Sequence, residues 1–226
     1  MNCYLHHLIC AITGLTLNWL VAPGNVDEGQ FMVPMLAKTL ADGFKPELLT
    51  LDNGYTHHFN YEIPNLLGIK LLIGFRRRNK PGWRGKPKTL KLRFQKMVKA
   101  GKLSPQKIAE LRMDPDPEKN SLENVVCALA VAGQHEYAGA YFRNRSLAWF
   151  KKDRKCWWLL YAPPRSVVEG THGHLKDWLD LGSLVEKGLC TARLHVAFCM
   201  LCEAVVALSR VQHGCVKALM SYACIR

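Results

Sequence analysis

Acidic residues are scarce in this chain and unevenly placed. Of 226 residues only 18 are Asp or Glu, against 31 Lys or Arg, which gives a formal net charge of +13. The first acidic residue is Asp27, and none occurs between Arg76 and Ala109. A chain this short of acid, with a pI near 9.4, fits an acidic partner, either nucleic acid or an anionic membrane surface. Residues 1–26 carry no charge at all. Their apolar part, residues 8–22, falls short of a bilayer span of about 20 residues and is interrupted by Gly14, Thr16 and Asn18. It also lacks the Lys or Arg that leads a signal peptide, since His6 and His7 stand there instead. A second apolar run, residues 194–209, is broken by Glu203. Neither run is read as membrane-spanning. Gly-rich phosphate loops, a Ser-His-Asp arrangement and internal repeats are also missing, so P-loop and triad chemistry lack their residues.

Cysteine, by contrast, is not scarce. Nine cysteines would suit a disulfide scaffold only in a short secreted chain, and nine is odd, so reduced thiols and a cytoplasmic location are expected. Hydrophobic residues at 49% and charged residues at 22% exclude global disorder. The length suits one domain, or one domain carrying a large insertion.

The positive charge is concentrated. Thirteen basic residues lie in the acid-free stretch: Arg76, Arg77, Arg78, Lys80, Arg84, Lys86, Lys88, Lys91, Arg93, Lys96, Lys99, Lys102 and Lys107. Removing them from the 31 leaves 18 basic against 18 acidic residues, so the rest of the chain is neutral. Residues 79–87 have loop composition. Residues 89–100 read as a basic helix with Leu90, Phe94 and Val98 along one side. Cations interleaved with Phe75, Trp83 and Phe94 suit a phosphate backbone with occasional stacking. A solvated loop with a basic face explains the run alone equally well. Residues 114–118, acidic and Pro-containing, read as a linker.

Along the chain, residues 4–11 and 15–21 predict a β-hairpin around Thr13-Gly14. A helix is expected over 26–41, capped by Asn25. A short strand follows over 47–51, a helix over 59–67 and a strand over 69–75. Residues 121–132 and 137–158 read as mostly helix. A further helix is expected over 165–180, after Pro163-Pro164, and the all-round apolar segment 191–209 predicts a buried helix. This order implies a mixed α/β layer architecture.

Two features carry chemistry. Asp52 ends a predicted strand just before a Gly turn, where catalytic carboxylates cluster in open α/β sheets, although a turn aspartate fits the position too. Arg165, Glu169, His172 and Lys176 fall on one predicted helix face. Carboxylates holding Mg²⁺ beside a phosphate-binding Lys would suit phosphodiester cleavage. A surface ion-pair helix gives the same spacing.

Taken together, these segments resemble a family. Val21-Ala22-Pro23-Gly24-Asn25-Val26-Asp27-Glu28, followed by a helix and Leu51-Asp52-Asn53-Gly54-Tyr55, is similar to the DDE transposases of bacterial and archaeal insertion sequences. Arg165-Ser166-Val167-Val168-Glu169, continued to Lys176, resembles their third-acid signature, Tyr-x2-Arg-x3-Glu-x6-Lys. Here three residues rather than two separate Tyr161 from Arg165. The resemblance implies an RNase H-like mixed sheet flanked by helices, with a basic insertion before the last catalytic helix. It divides the chain into core residues 1–75, insertion 76–136 and core 137–226. It also implies two-metal phosphoryl transfer with Mg²⁺ or Mn²⁺ on Asp52 and Glu169. DNA at the transposon ends would be contacted by Arg165 and Lys176, while the charge of the basic stretch points to Arg76, Arg77, Arg78, Lys80 and Arg84 as further DNA contacts. A homo-oligomer would form in the DNA complex. The family's first Asp lies on a strand ahead of the opening hairpin, where this sequence has only Met1, Asn2 and Cys3. The expectation is therefore a truncated transposase lacking that strand and that acid, inactive alone. The alternative is a non-catalytic basic DNA-binding protein derived from such an element.

Several other signals are read as structural. Cys199-x-x-Cys202 reads as a pair of buried small hydrophobes. His6 and His7 should point to opposite faces of a strand. His172 and His174 read as structural or DNA-facing, and His195 as helix packing.

Overall fold

The computed structural model describes residues 3–75, 79–179, 181 and 188–214. In chain order the elements are β1 (Cys3–Ile9), β2 (Thr16–Pro23), α1 (Met32–Ala41), β3 (Leu48–Leu51), α2 (His58–Leu66) and β4 (Lys70–Ile73). They continue with α3 (Pro87–Lys99), α4 (Pro105–Glu110), α5 (Leu122–Val131), α6 (His135–Lys152), α7 (Arg154–Trp178) and α8 (Leu189–Gln212). The architecture is mixed α/β and mainly helical. Among the described residues the strands form two separate pairs, an antiparallel hairpin β1–β2 and a parallel pair β3–β4.

The chain divides into two compact units, one of residues 1–45 and 158–226 and the other of residues 46–157. These bounds differ from those the resemblance implied. The basic stretch does not stand apart, because Leu90 and Phe94 are fully buried in the second unit's own core. The acidic segment is no loose linker either. Asn120 Nδ2 donates to the carbonyls of Asp114 and Asp116, both at 2.8 Å, and Pro117 beside them is buried.

In the first unit the hairpin is layered between helices. Successive side chains of a strand point to opposite faces, and the two faces here meet different partners. His6 packs on Phe31 at 4.6 Å, and Asn18 Nδ2 donates to the Met35 carbonyl at 3.2 Å, so that face meets α1. Val21 on the other face buries itself with Leu175 of α7 and with Ala192, Val196 and Cys199 of α8. The predicted opposition of His6 and His7 holds, since His7 faces His172. Helix α1 starts later than expected. Asp27 accepts from Gly29 N at 3.0 Å and caps a single 3₁₀ turn over Glu28–Gln30. With the α-helix beginning at Met32, Pro34 falls in the first turn, where its missing N–H costs nothing.

Two helices depart from expectation. Helix α7 begins before Pro163-Pro164 and runs through them, although each proline removes one backbone donor. Helix α8 is not buried all round. By length and composition alone it could cross a membrane, with mean hydropathy 1.7 over its most apolar stretch, and 28% of that stretch is buried. Its two charged residues between 194 and 212, Glu203 and Arg210, are both on the buried side. Cys199 is buried, as expected, whereas Cys202 is exposed.

The second unit is a β3–α2–β4 crossover packed on α6, with α3 and α5 completing the core. Helices α2 and α6 approach so closely that a Cβ on Gly139 would lie 2.3 Å from the His58 carbonyl oxygen. Gly139→Ala is expected to destabilise this unit by about 1–3 kcal/mol through overpacking against backbone. Differential scanning calorimetry would register it as a lowered Tm.

Candidate nucleic-acid interface

The basic stretch builds its surface on a fixed frame. Pro87 opens α3, and Leu90, Phe94 and Met97 bury one side of it. On the opposite side Lys88, Lys96 and Lys99 are exposed. At 3.6 residues per turn they fall within about 80° of one another, over three turns. Lys86 just before the helix, and Lys102 and Lys107 after it, are exposed as well. Among the described residues none of these six lysines is ion-paired, whereas Lys91 is taken by Glu118 and Arg84 by Glu136. Arg93 is also occupied, donating to Gln134 Oε1 at 2.7 Å and lying over the Tyr137 ring.

The loop before α3 is pinned to α6 by a reciprocal amide clasp. Gly82 N donates to Asn144 Oδ1 at 2.7 Å, and Asn144 Nδ2 donates back to the Gly82 carbonyl at 2.8 Å. Arg143 Nη1 donates to the Lys80 carbonyl at 3.2 Å. Trp83 meets Tyr137 edge-on with 57% of its surface exposed, and Arg84 lies over the Trp83 ring at 5.1 Å. Behind Trp83 a cavity of about 280 Å³ is lined by His57, His58, Tyr61, Arg84 and Arg143 among others. Burial lowers His58 and pushes the Tyr61 phenol up to about 12. Lys80 is exposed on the pinned loop, while Arg76, Arg77 and Arg78 lie outside the described residues.

The predicted acids stand in different units. Asp52 follows β3 at its carboxyl end, exposed, with extended backbone leading into a 3₁₀ turn over Asn53–Tyr55. That turn is braced by Thr56 Oγ1 donating to the Asn53 carbonyl at 2.7 Å and Asn60 Nδ2 to the Tyr55 carbonyl at 2.9 Å. Asp52 belongs to the second unit and Glu169 to the first.

On α7 the predicted face exists. Arg165 Nε donates to Glu169 Oε1 at 2.8 Å, and Arg165 Nη1 donates to the Tyr161 hydroxyl at 3.0 Å. The extra residue between Tyr161 and Arg165 sets them four apart, one turn along the same face. Lys176 is exposed two turns beyond Glu169. His172 shares this face and sits with its Nε2 2.8 Å from that of His7. Burial, with the neighbouring imidazoles of His172 and His6, pushes His7 down to about 3, so it is neutral at physiological pH.

A two-metal centre needs several hard oxygen donors converging on the ions. Among the described residues no three His, Cys, Asp or Glu side chains come together in that way. Glu169 is ion-paired with Arg165 on its own helix face, and Asp52 belongs to the other unit. Sequence reasoning misses the Asn144 clasp and the Gly139 crossing, because neither residue belongs to a motif. No protein-family model, curated protein or solved structure matches this chain.

Proposed function

We propose that this chain is a DNA-binding protein of the insertion-sequence transposase kind, and that by itself it holds duplex DNA rather than cutting it. The observation that carries the reading is the row of exposed, unpaired lysines on α3 and its flanks, supported on a buried apolar face. Such a surface neutralises phosphates without reading bases. Cleavage and strand transfer with Mg²⁺ or Mn²⁺ is the second reading. It draws support from Asp52 at the end of a parallel strand and from Arg165, Glu169 and Lys176 on one exposed helix face. In that reading Asp52 and Glu169 would be two of the metal-holding carboxylates, and Arg165 and Lys176 would contact the transposon ends.

One preparation of the full chain separates the two readings. Gel-shift binding to a duplex is expected at low salt, with no nicking of supercoiled plasmid in Mg²⁺ or Mn²⁺. Asp52→Ala should leave the binding unchanged. Nicking that disappears in Asp52→Ala would establish the catalytic reading, and absence of any duplex binding at low salt would remove the first.

A further inference from the structure

Among the described residues, helix α8 leaves a long apolar face without a partner. Leu194, Phe198, Leu201, Val205 and Leu208 are each 58–60% exposed. Their spacing alternates four and three residues, the repeat by which two helices wind around each other. The inward face of the same helix is already committed to the hairpin and α7 through Ala192, Val196 and Cys199, and Thr16 Oγ1 donates to Glu203 there at 3.1 Å. Both charges of the segment 194–212 face that way, so the outward stripe carries none.

We propose that this stripe is the dimerisation surface of the protein, where α8 pairs with α8 of a second copy, without DNA. Three features select that occupant. The heptad places Leu194, Leu201 and Leu208 at d and Phe198 and Val205 at a, a seam of large apolar side chains that can interleave with an identical one. Flanking positions, among them Ala204, Ser209 and Val211, are uncharged, so an identical face meets it with no like-charge repulsion. The exposed side chains offer on the order of 600 Å² per copy, so two copies together reach the lower end of the area a specific pairing buries, about 1,200 Å². A bilayer would solvate one stripe of this helix only, because its other face is packed on the hairpin.

The test is sedimentation equilibrium of the full chain, under reducing conditions and free of DNA, at micromolar concentration. The wild type is expected at twice 25.6 kDa. Leu201→Glu and Leu201→Lys are each expected at the single mass, since a charge at d meets its own copy across the seam. Mixed in equal amounts, the two variants should return to the double mass, which a merely misfolded chain would not do. Leu92→Glu, at another exposed leucine on α3, should stay dimeric. A monomeric wild type, a trimer or larger species, or a mixture that stays monomeric would overturn the proposal. Wild-type flotation with neutral phosphatidylcholine vesicles, lost in Leu201→Glu, would overturn it in favour of lipid.

Discussion

Replacing Lys88, Lys96 and Lys99 together by glutamate is expected to weaken duplex binding roughly a hundredfold or more at low salt. Each lysine that neutralises a phosphate releases condensed counterions, and each glutamate would add repulsion in its place. Fold is not at stake in this variant, because the three side chains are exposed and the helix is held by Leu90, Phe94 and Met97 on its other side. Lys91 is left alone because it is paired with Glu118. The corresponding triple alanine variant should lower the slope of log affinity against log salt by about 3, or close to one per phosphate contact removed. A control makes the result specific. Glutamate at Lys45, Lys151 and Lys152, all exposed and outside the basic stretch, changes the net charge equally and should cost far less affinity. Equal losses in the two triple variants would mean that binding follows overall charge and that α3 is no interface.

The second large effect concerns stability. Glu203 is 3% exposed, and burial pushes its carboxyl up to about 7, partly opposed by the Thr16 hydroxyl that donates to it. A carboxyl raised in the folded state keeps its proton there after the unfolded chain has lost it. Stability is therefore greatest below the unfolded carboxylate range and falls as pH rises to about 7, then levels off. At pH 8 the ionised group costs roughly 3 kcal/mol, because each tenfold change in a protonation equilibrium between folded and unfolded chain is worth about 1.4 kcal/mol. Glu203→Gln keeps an oxygen for Thr16 and removes the charge. It should raise the Tm at pH 8 by roughly 2–4 °C per kcal/mol recovered, and make little difference at pH 4.5. Equal melting of the two proteins at pH 8 would show that Glu203 is not ionising in a buried place.

Much of the local structure was legible because it is set by neighbours in sequence. The hairpin around Thr13-Gly14, the crossover helix over most of 59–67, and the basic helix on Leu90 and Phe94 all follow from periodicity and turn chemistry. What the sequence hid is set by distant residues. Asn144 reaches a loop 62 residues earlier, and Gly139 matters only because His58 passes over it. Neither fact leaves a mark in any local window. The error on α8 has a different cause. Mean hydropathy describes how apolar a segment is and ignores phase, so residues 191–209 read as buried on every side. With Glu203 and Arg210 turned inward, the usual inside-out pattern is inverted, and only the heptad spacing of Leu194 to Leu208 marked the open face. For the candidate site, the α7 face bearing Arg165 and Glu169 was readable from spacing. That Asp52 belongs to another compact unit is a property of the whole chain, and no motif carries it.

The central claim, that a neutral fold carries one phosphate-binding surface, is tested most directly by titrating salt against duplex affinity for the unmodified chain. Six unpaired lysines each neutralising one phosphate predict a log–log slope of about −5, from roughly −0.9 per phosphate, with little dependence on sequence. A slope near zero, or affinity unchanged between low and physiological salt, would contradict it.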